Sequence, residues 1–330
     1  MLSRYVDLAT GQLRTDAPLP RDAPFRPGEM DISSRDLQRL VRCGQVRQVV
    51  RGVFVLTELR DTLSLRAKAL SLVVCPAAVV TDRTAAWLHG VDVLLPGEHL
   101  SVPPICVFDR KRGGRVRRPE VASGQRTLRA SDVMQIDGVQ VTTPLRTTCD
   151  LAMQRNRDRA FGSLNAMLHA GLVTKEQVEH ELRRFKGRRY VRQLRSLLPW
   201  ADSRHDSIAE SITALRWYDT TPPYPQPQRP VTGRFGQPWS LDLGVDELYF
   251  AVEYDGEEFH TGDVAEEHDA ERRTWIRRNT PWTVEVVTKD NIFGRDRDFE
   301  MLLPRWLAEA QRSLPDRLRG RQRWYDDVGD

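Results

Sequence analysis

At 330 residues the chain is longer than one hydrophobic core usually supports, so we expect two or three domains. Charged residues make up 29%, mean hydropathy is −0.51 and no apolar run could span a bilayer, which excludes an integral membrane protein. The N-terminal stretch lacks the apolar segment of a signal peptide, so we expect a cytoplasmic protein. A net charge of +4 is too small to establish a nucleic-acid partner, and the scattered cysteines predict no zinc site.

Residues 1–28 hold four prolines among charged residues. This composition predicts a flexible, poorly ordered arm or a strap over another domain. No function is assigned to it.

A helix is predicted after Ser33, whose side chain can cap it, and Gly44 should end it. The alternation in residues 46–56 around Gly52 then predicts a β-hairpin. This helix, glycine and RGVFVL hairpin resemble the winged helix-turn-helix of AbiEi-type antitoxins. The resemblance implies phosphate contacts from Arg39, Arg42, Arg47 and Arg51 on DNA. The alternative is a solvated basic face on a small helical subdomain.

Two further segments resemble the same antitoxin family. Residues 84–90, TAAWLHG, match its S-A-A-W-L-H-G segment with Thr84 in place of serine, and residues 143–152 match T-x-x-R-T-x-x-D-L-A. Within the second segment Arg146 and Asp150 lie one helical turn apart, which predicts a stabilising ion pair.

Short strands are predicted between these segments, with Asp137 and Gly138 as a hairpin turn. They cover residues 100–102, 105–107, 133–136 and 139–141. The densest basic run lies among them and begins with Arg110, Lys111 and Arg112. A glycine-containing basic loop can follow a phosphate backbone, but it can equally be a solvated tip.

A helical connector is predicted from residue 161 to Pro199. Its turn at residues 183–190, RRFKGRRY, interleaves arginines with aromatic residues. That pattern is compatible with phosphate contact plus stacking on an unpaired base. After Pro199 a C-terminal domain begins, with a first helix from Asp206 and then a proline-rich segment, residues 221–230, that predicts an extended link.

Acidic residues interrupt two predicted strands in the segment from Trp239 to His260. Asp242 and Glu253 could lie on neighbouring antiparallel strands, where opposed like charges destabilise a sheet unless a cation holds them. Mg²⁺ is the expected ion, because it takes oxygen ligands.

In these residues the chain resembles the Vsr-like branch of the PD-(D/E)XK endonuclease fold. The matching residues are Glu210, Asp242, Glu253, Asp255, His260, Asp269 and Arg272. The resemblance implies a catalytic site that uses Mg²⁺ or Mn²⁺, with Asp242, Glu253 and Asp255 as metal ligands and His260 as general base or water-orienting group. Asp255 stands where the usual pattern has lysine, so the positive charge must come from elsewhere or be absent, and Arg272 and Lys289 are the nearest candidates.

The sequence therefore predicts an α+β multidomain protein. Its parts are a flexible arm (1–28), a winged helix-turn-helix (29–90), an antitoxin-like sheet with a helical connector (91–199), a Vsr-like nuclease-fold domain of α/β/α architecture (200–312) and a polar tail (313–330). The expected function is metal-dependent DNA cleavage; the alternatives are a non-catalytic, antitoxin-like DNA-binding regulator, or acids that are structural in a protein-interaction domain. Whether the partners beyond DNA include a second copy, as a homodimer, or a toxin is left open.

Overall fold

The structure is a computed structural model that describes residues 4–7, 10–109, 121–122, 126–220, 222–256 and 263–327. Side chains are described for all of these except 109, 121–122, 263–269 and 319–327. The chain forms two compact units. The N-terminal unit is Met1–Leu94 with Glu98–Leu151, and the C-terminal unit is Leu95–Gly97 with Ala152–Asp330. The predicted finer domain boundaries stay a prediction.

The N-terminal unit is built from short strands and short helices. They are α1 (Ser34–Arg42), β1 (Val46–Val50), β2 (Val53–Leu56), α2 (Leu63–Ser71), β3 (Ala78–Val80), α3 (Asp82–Leu88), β4 (Ile105–Asp109), β5 (Val121–Ala122), β6 (Val133–Ile136), β7 (Val139–Thr142) and α4 (Pro144–Ala152).

Helix α1 and the β1–β2 hairpin form where the sequence predicts them. Ser33 Oγ accepts the Asp36 N–H at 3.1 Å and so satisfies a donor at the helix start. The two strands pair antiparallel, and Gly52 turns the chain between them with a φ of +79°, which favours glycine.

The N-terminal segment packs on this helix and hairpin. Tyr5, Val6, Leu19 and Phe25 are buried in one cluster with Leu40 of α1. Phe25 also exchanges two backbone hydrogen bonds of 2.9 Å with Phe54 of β2. The described residues of this segment are therefore packed and do not form a poorly ordered arm, because apolar residues between the prolines are buried in the core. Residues 10–33 form a 3-10 turn, Pro27–Glu29, but no α-helix, so the described part of the chain shows no second α-helix before α1.

A five-stranded sheet in the order β5-β4-β3-β7-β6 forms the centre of the N-terminal unit. Strands β3 and β7 pair parallel through Val80 and Val141, and both residues are fully buried. Asp137 (φ +44°) and Gly138 (φ +82°) make the predicted tight turn between β6 and β7.

A buried ionic network joins α3, α4 and the 3-10 turn Ala130–Asp132. Arg146, 4% exposed, donates to Asp150 at 2.8 Å and to Asp132 at 3.0 Å. Arg126 joins Asp150 to Asp82 of α3: its Nη1 lies 2.8 Å from Asp150 Oδ2 and its Nη2 lies 2.5 Å from Asp82 Oδ1. The predicted ion pair of Arg146 and Asp150 is therefore present, within a chain of alternating charges.

Replacing Arg146 should destabilise the N-terminal unit strongly. Arg146→Met leaves Asp132 and Asp150 buried with less positive charge, so we expect a loss of about 3–5 kcal/mol in the free energy of unfolding, measured in urea. The matched control is Arg14→Met, which removes the exposed pair with Asp16 and should leave the free energy of unfolding nearly unchanged, because water screens that pair. Equal effects of the two substitutions would contradict this assignment.

The C-terminal unit begins with helices and ends with a sheet and a long helix. Its elements are α5 (Arg157–His169), α6 (Lys175–Glu181), α7 (Val191–Leu197), α8 (Ile208–Tyr218), β8 (Gln226–Thr232), β9 (Pro238–Val245), β10 (Phe250–Tyr254), α9 (Asp263–Asn279), β11 (Thr283–Val287), α10 (Lys289–Ile292) and α11 (Phe299–Asp327).

The four strands of this unit stand in the order β11-β10-β9-β8. Strand β9 is antiparallel to both of its neighbours, β8 and β10, whereas β10 and β11 are parallel and joined through α9. Helix α8 contacts β9 and β10, and α9 contacts β11. This order of helix, three strands, helix and strand is the predicted one, and the endonuclease assignment of the fold stays a prediction.

Close packing holds α8 against α5. A Cβ placed on Gly162 of α5 would lie 2.8 Å from Ile208 Cγ2, which is too close for any larger residue without movement. Helix α8, which carries Glu210, is therefore set against α5 at short range.

Two local predictions are wrong. Residues 100–102 do not form a strand, because a 3-10 turn, Glu98–Leu100, occupies their start. Within the link predicted at 221–230, residues 226–230 belong to β8, an edge strand that tolerates Pro227 and Pro230. The predicted polar tail, 313–330, continues α11 as far as Asp327.

Arg317 fastens that last helix to the sheet region. Its guanidinium donates to the carbonyls of Leu248 at 2.9 Å, Tyr249 at 3.2 Å and Ala310 at 2.7 Å, and also to Pro281 O.

Across the described residues, no helix combines the length and apolar character that crossing a bilayer requires.

Candidate functional site

Two acidic residues face each other across β9 and β10. The register pairs Leu243 with Val252, so Asp242 and Glu253 form the next opposing pair. The Tyr254 N–H also donates to Asp242 Oδ2 at 2.9 Å. The predicted placement on neighbouring antiparallel strands is therefore correct.

Glu210 brings a third carboxylate from the first turn of α8. Its backbone N–H donates to Ser207 Oγ at 3.1 Å, which starts the helix. Its Oε2 accepts the Asp206 N–H at 3.0 Å and Gln228 Nε2 at 3.1 Å. These bonds orient a carboxyl group that is 8% exposed.

The three carboxylates interact electrostatically. Burial raises the pKa of Asp242 well above its usual range, and the charges of Glu210 and Glu253 raise it further. The Tyr254 N–H and Arg272 act in the opposite direction with less effect. Burial also raises the pKa of Glu210. Folding therefore places acidic groups where their charged forms are disfavoured.

Arg272 of α9 supplies positive charge to this group. It donates to Glu253 Oε1 at 2.9 Å and to the Ser240 carbonyl at 3.0 Å. Glu253 is 3% exposed, so the ion pair is largely shielded from water. Glu210, Asp242, Glu253 and Arg272, which we call the acidic cluster, are brought together by the fold.

Asp255 has different partners. Its carboxylate lies 3.3 Å from Arg273 Nη1, and its backbone N–H donates to Val287 O at 2.8 Å. His260 and the side chain of Asp269 lie outside the described residues. Of the predicted catalytic set, the structure thus joins four members and gives Asp255 a separate ion pair.

The metal ligands predicted from the sequence are not arranged as a shared site. Among the described residues, no three His, Cys, Asp or Glu side chains are grouped closely enough to hold one ion. Arg272 and Arg273 pair with Glu253 and Asp255, two of the three expected ligands. The oxygen atoms suit Mg²⁺ in kind, but the three predicted ligands do not converge on one ion.

Gln228 belongs to the same site and was missed by the sequence interpretation. The register of β8 and β9 places it opposite Asp242, between the pairs Pro227–Leu243 and Arg229–Leu241. Its φ of +53° is unusual for glutamine, and its side chain reaches Glu210. Prolines on both sides concealed the strand, so no pattern pointed to it.

Asp242→Asn should stabilise the protein at neutral pH. Because folding raises the pKa of Asp242 above its ordinary value of 3.8, the wild type loses stability as pH rises above 3.8, whereas asparagine carries no charge and can still accept the Tyr254 N–H. Urea unfolding at pH 4 and pH 7 should show a gain that grows with pH. The control Asp296→Asn, at an exposed position, should change little, and an unchanged or lower stability of Asp242→Asn at pH 7 would disprove the prediction.

The predicted DNA-binding arginines divide into two groups. Arg42 and Arg51 are exposed, at the end of α1 and at the turn of the hairpin. Arg39 and Arg47 are half-buried, and Arg47 donates to the Leu59 carbonyl at 2.9 Å. Arg110, Lys111 and Arg112 lie outside the described residues.

Comparison with known proteins identifies one part of the chain. Residues 76–200 match the family model described as the AbiEi antitoxin C-terminal domain. Two Mycobacterium tuberculosis proteins are similar along most of the chain: uncharacterized protein MT2308 (strain CDC 1551 / Oshkosh) and uncharacterized protein Rv2248 (strain ATCC 25618 / H37Rv). Each is 28% identical over 270 residues, which cover 79% of this chain and 92% of the relative. The AbiEi-like interpretation is thus confirmed for residues 76–200, and the Vsr-like one stays a prediction.

Proposed function

We propose that this protein is a DNA-binding, antitoxin-like regulator. The observation that carries the proposal is the match of residues 76–200 to the AbiEi antitoxin C-terminal domain. Helix α1 and the β1–β2 hairpin precede that region in the chain. A toxin partner forms part of this proposal, since the family description is that of an antitoxin.

Arg42 and Arg51 are the side chains best placed to meet DNA. Both are exposed on the helix–hairpin element, and a guanidinium there can neutralise a phosphate without burying charge. Arg47 already bonds a backbone carbonyl, so its contribution should be smaller. Duplex affinity should therefore depend mainly on two of the four arginines expected from the sequence.

The double variant Arg42→Gln/Arg51→Gln should weaken duplex DNA binding and flatten its salt dependence. Two lost phosphate contacts should reduce the slope of log K against log salt by about 2, measured by fluorescence anisotropy on the DNA upstream of the protein's own gene.

The matched control is Arg278→Gln/Arg305→Gln, which removes the same charge from exposed positions in the C-terminal unit. It should bind that duplex like the wild type. Equal slopes for the wild type and the helix–hairpin variant would exclude this surface as the DNA-binding site.

A second candidate function, hydrolysis of DNA, is favoured by the acidic cluster. Three carboxylates, one in the first turn of α8 and two on central strands, repel one another and are costly to keep, and perturbed acids of this kind are frequent in catalytic sites. The resemblance to Vsr-like endonucleases implies Mg²⁺ or Mn²⁺ as cofactor. Because the acids and arginines do not form a fitted metal site, no catalytic step is assigned.

The hydrolysis candidate predicts metal-dependent nicking of supercoiled plasmid that Asp242→Ala loses. Reactions with Mg²⁺, Mn²⁺ or EDTA should show cleavage only with metal, and a parallel set should use single-stranded DNA. The control Asp296→Ala, an exposed acid, should cleave like the wild type. Cleavage by Asp242→Ala at the wild-type rate, or none by the wild type with either metal, would rule this function out.

A further inference from the structure

The connector of the C-terminal unit carries a long stretch of positive charge. Residues 182–201 contain seven lysines and arginines and no acidic residue. One of them, Arg184, pairs with Glu181 at 2.6 Å. The other six are exposed: Arg183, Lys186, Arg188, Arg189, Arg192 and Arg195. This surface therefore has a strong attraction for polyanions.

The aromatic residues within the basic turn do not offer free ring faces. Phe185 is 3% exposed, so it is part of the core. Tyr190 is half-buried, and Arg189 lies over its ring at 6.0 Å. Stacking by the turn itself, which its sequence suggests, is therefore not supported.

Exposed rings stand instead directly after α7. Trp200 is 38% exposed and Tyr224 is 40% exposed, and their centroids are 5.1 Å apart. Trp200 also stacks on Tyr218 at 4.6 Å with an interplanar angle of 26°. Two large aromatic side chains thus remain in contact with water although they are held in fixed positions.

The backbone around Trp200 is fixed as well. Lys175 Nζ donates to the carbonyls of Pro199 at 2.8 Å and Ala201 at 3.1 Å, on either side of the tryptophan. Rings that are ordered before binding lose little conformational entropy when a partner arrives. Singly exposed apolar residues are common on protein surfaces, but two ordered aromatic rings side by side are more typical of a surface that stacks on a ligand.

We infer that the six exposed basic residues together with Trp200 and Tyr224, here called the basic–aromatic surface, bind single-stranded nucleic acid. The arginines would contact phosphates, and the rings would stack on unpaired bases. A duplex hides its base faces, whereas a single strand leaves them open to stacking on the rings. This inference goes beyond the proposed duplex-binding function, since it uses other residues and another ligand.

The test uses the full chain with fluorescein-labelled dT15, U15 and a 15-base-pair duplex, in EDTA so that no probe is cut. Trp200→Ala should weaken dT15 or U15 binding by about 5- to 150-fold, since stacking on one base is worth about 1–3 kcal/mol. Trp200→Phe should retain most of the affinity. Arg188→Gln/Arg192→Gln/Arg195→Gln should lower the salt slope by about 2.

The matched control, Arg278→Gln/Arg295→Gln/Arg305→Gln, makes the same charge change at other exposed positions of this unit. It should bind dT15 like the wild type, and Arg42→Gln/Arg51→Gln should lose duplex binding only. The ratio of the affinities for dT15 and U15 shows whether the protein prefers single-stranded DNA or RNA, and either preference supports the inference. If Trp200→Ala does not fold, Tyr224→Leu replaces it and should also weaken binding.

Four outcomes would overturn the inference. The first is wild-type affinity for dT15 and U15 in the folded Trp200→Ala or Tyr224→Leu protein, and the second is that the control triple variant loses as much affinity as Arg188→Gln/Arg192→Gln/Arg195→Gln. The third is that the wild type binds the duplex but neither single strand. The fourth is that polyglutamate competes with labelled dT15 as strongly as unlabelled dT15 does. The last outcome would point to an acidic protein partner instead.

Discussion

Repulsion among three carboxylates is the constraint on which the C-terminal unit depends. Glu210, Asp242 and Glu253 approach one another because α8 packs on β9 and β10, and one guanidinium, that of Arg272, offsets them. The N-terminal unit shows the opposite solution, in which Asp82, Asp132 and Asp150 alternate with Arg126 and Arg146. Alternating positive and negative charges stabilise the N-terminal unit. In the acidic cluster the negative charges exceed the positive ones, so binding of a cation or a proton would lower its electrostatic energy.

Much of the local structure was predictable because local chemistry decides it. Ser33 caps α1, Asp137 and Gly138 turn the β6–β7 hairpin, and the alternation around Asp242 and Glu253 sets two strands against each other. These features need only neighbouring residues or a regular strand period. The resemblance, and not spacing, made Arg272 a candidate for positive charge near these acids, and its bond to Glu253 was not predicted.

The remainder depends on contacts that are distant in sequence. Phe25 lies in the core because Phe54 pairs with it, and no local pattern distinguishes such a strap from a disordered arm. Gln228 reaches the acidic cluster from an edge strand whose prolines are typical of a linker. Arg47 is turned towards the Leu59 carbonyl, so a basic residue on a predicted DNA-binding element is partly withdrawn from the surface.

The anchoring of α11 by Arg317 links the end of the chain to the acidic cluster. The carbonyls that it holds, those of Leu248 and Tyr249, lead directly into β10, the strand that carries Glu253. Proteolytic trimming upstream of residue 317 would remove this guanidinium and release the start of that strand, whereas trimming after it would not. A cleavage in α11 before Arg317 would therefore change the acidic cluster indirectly, through the start of β10.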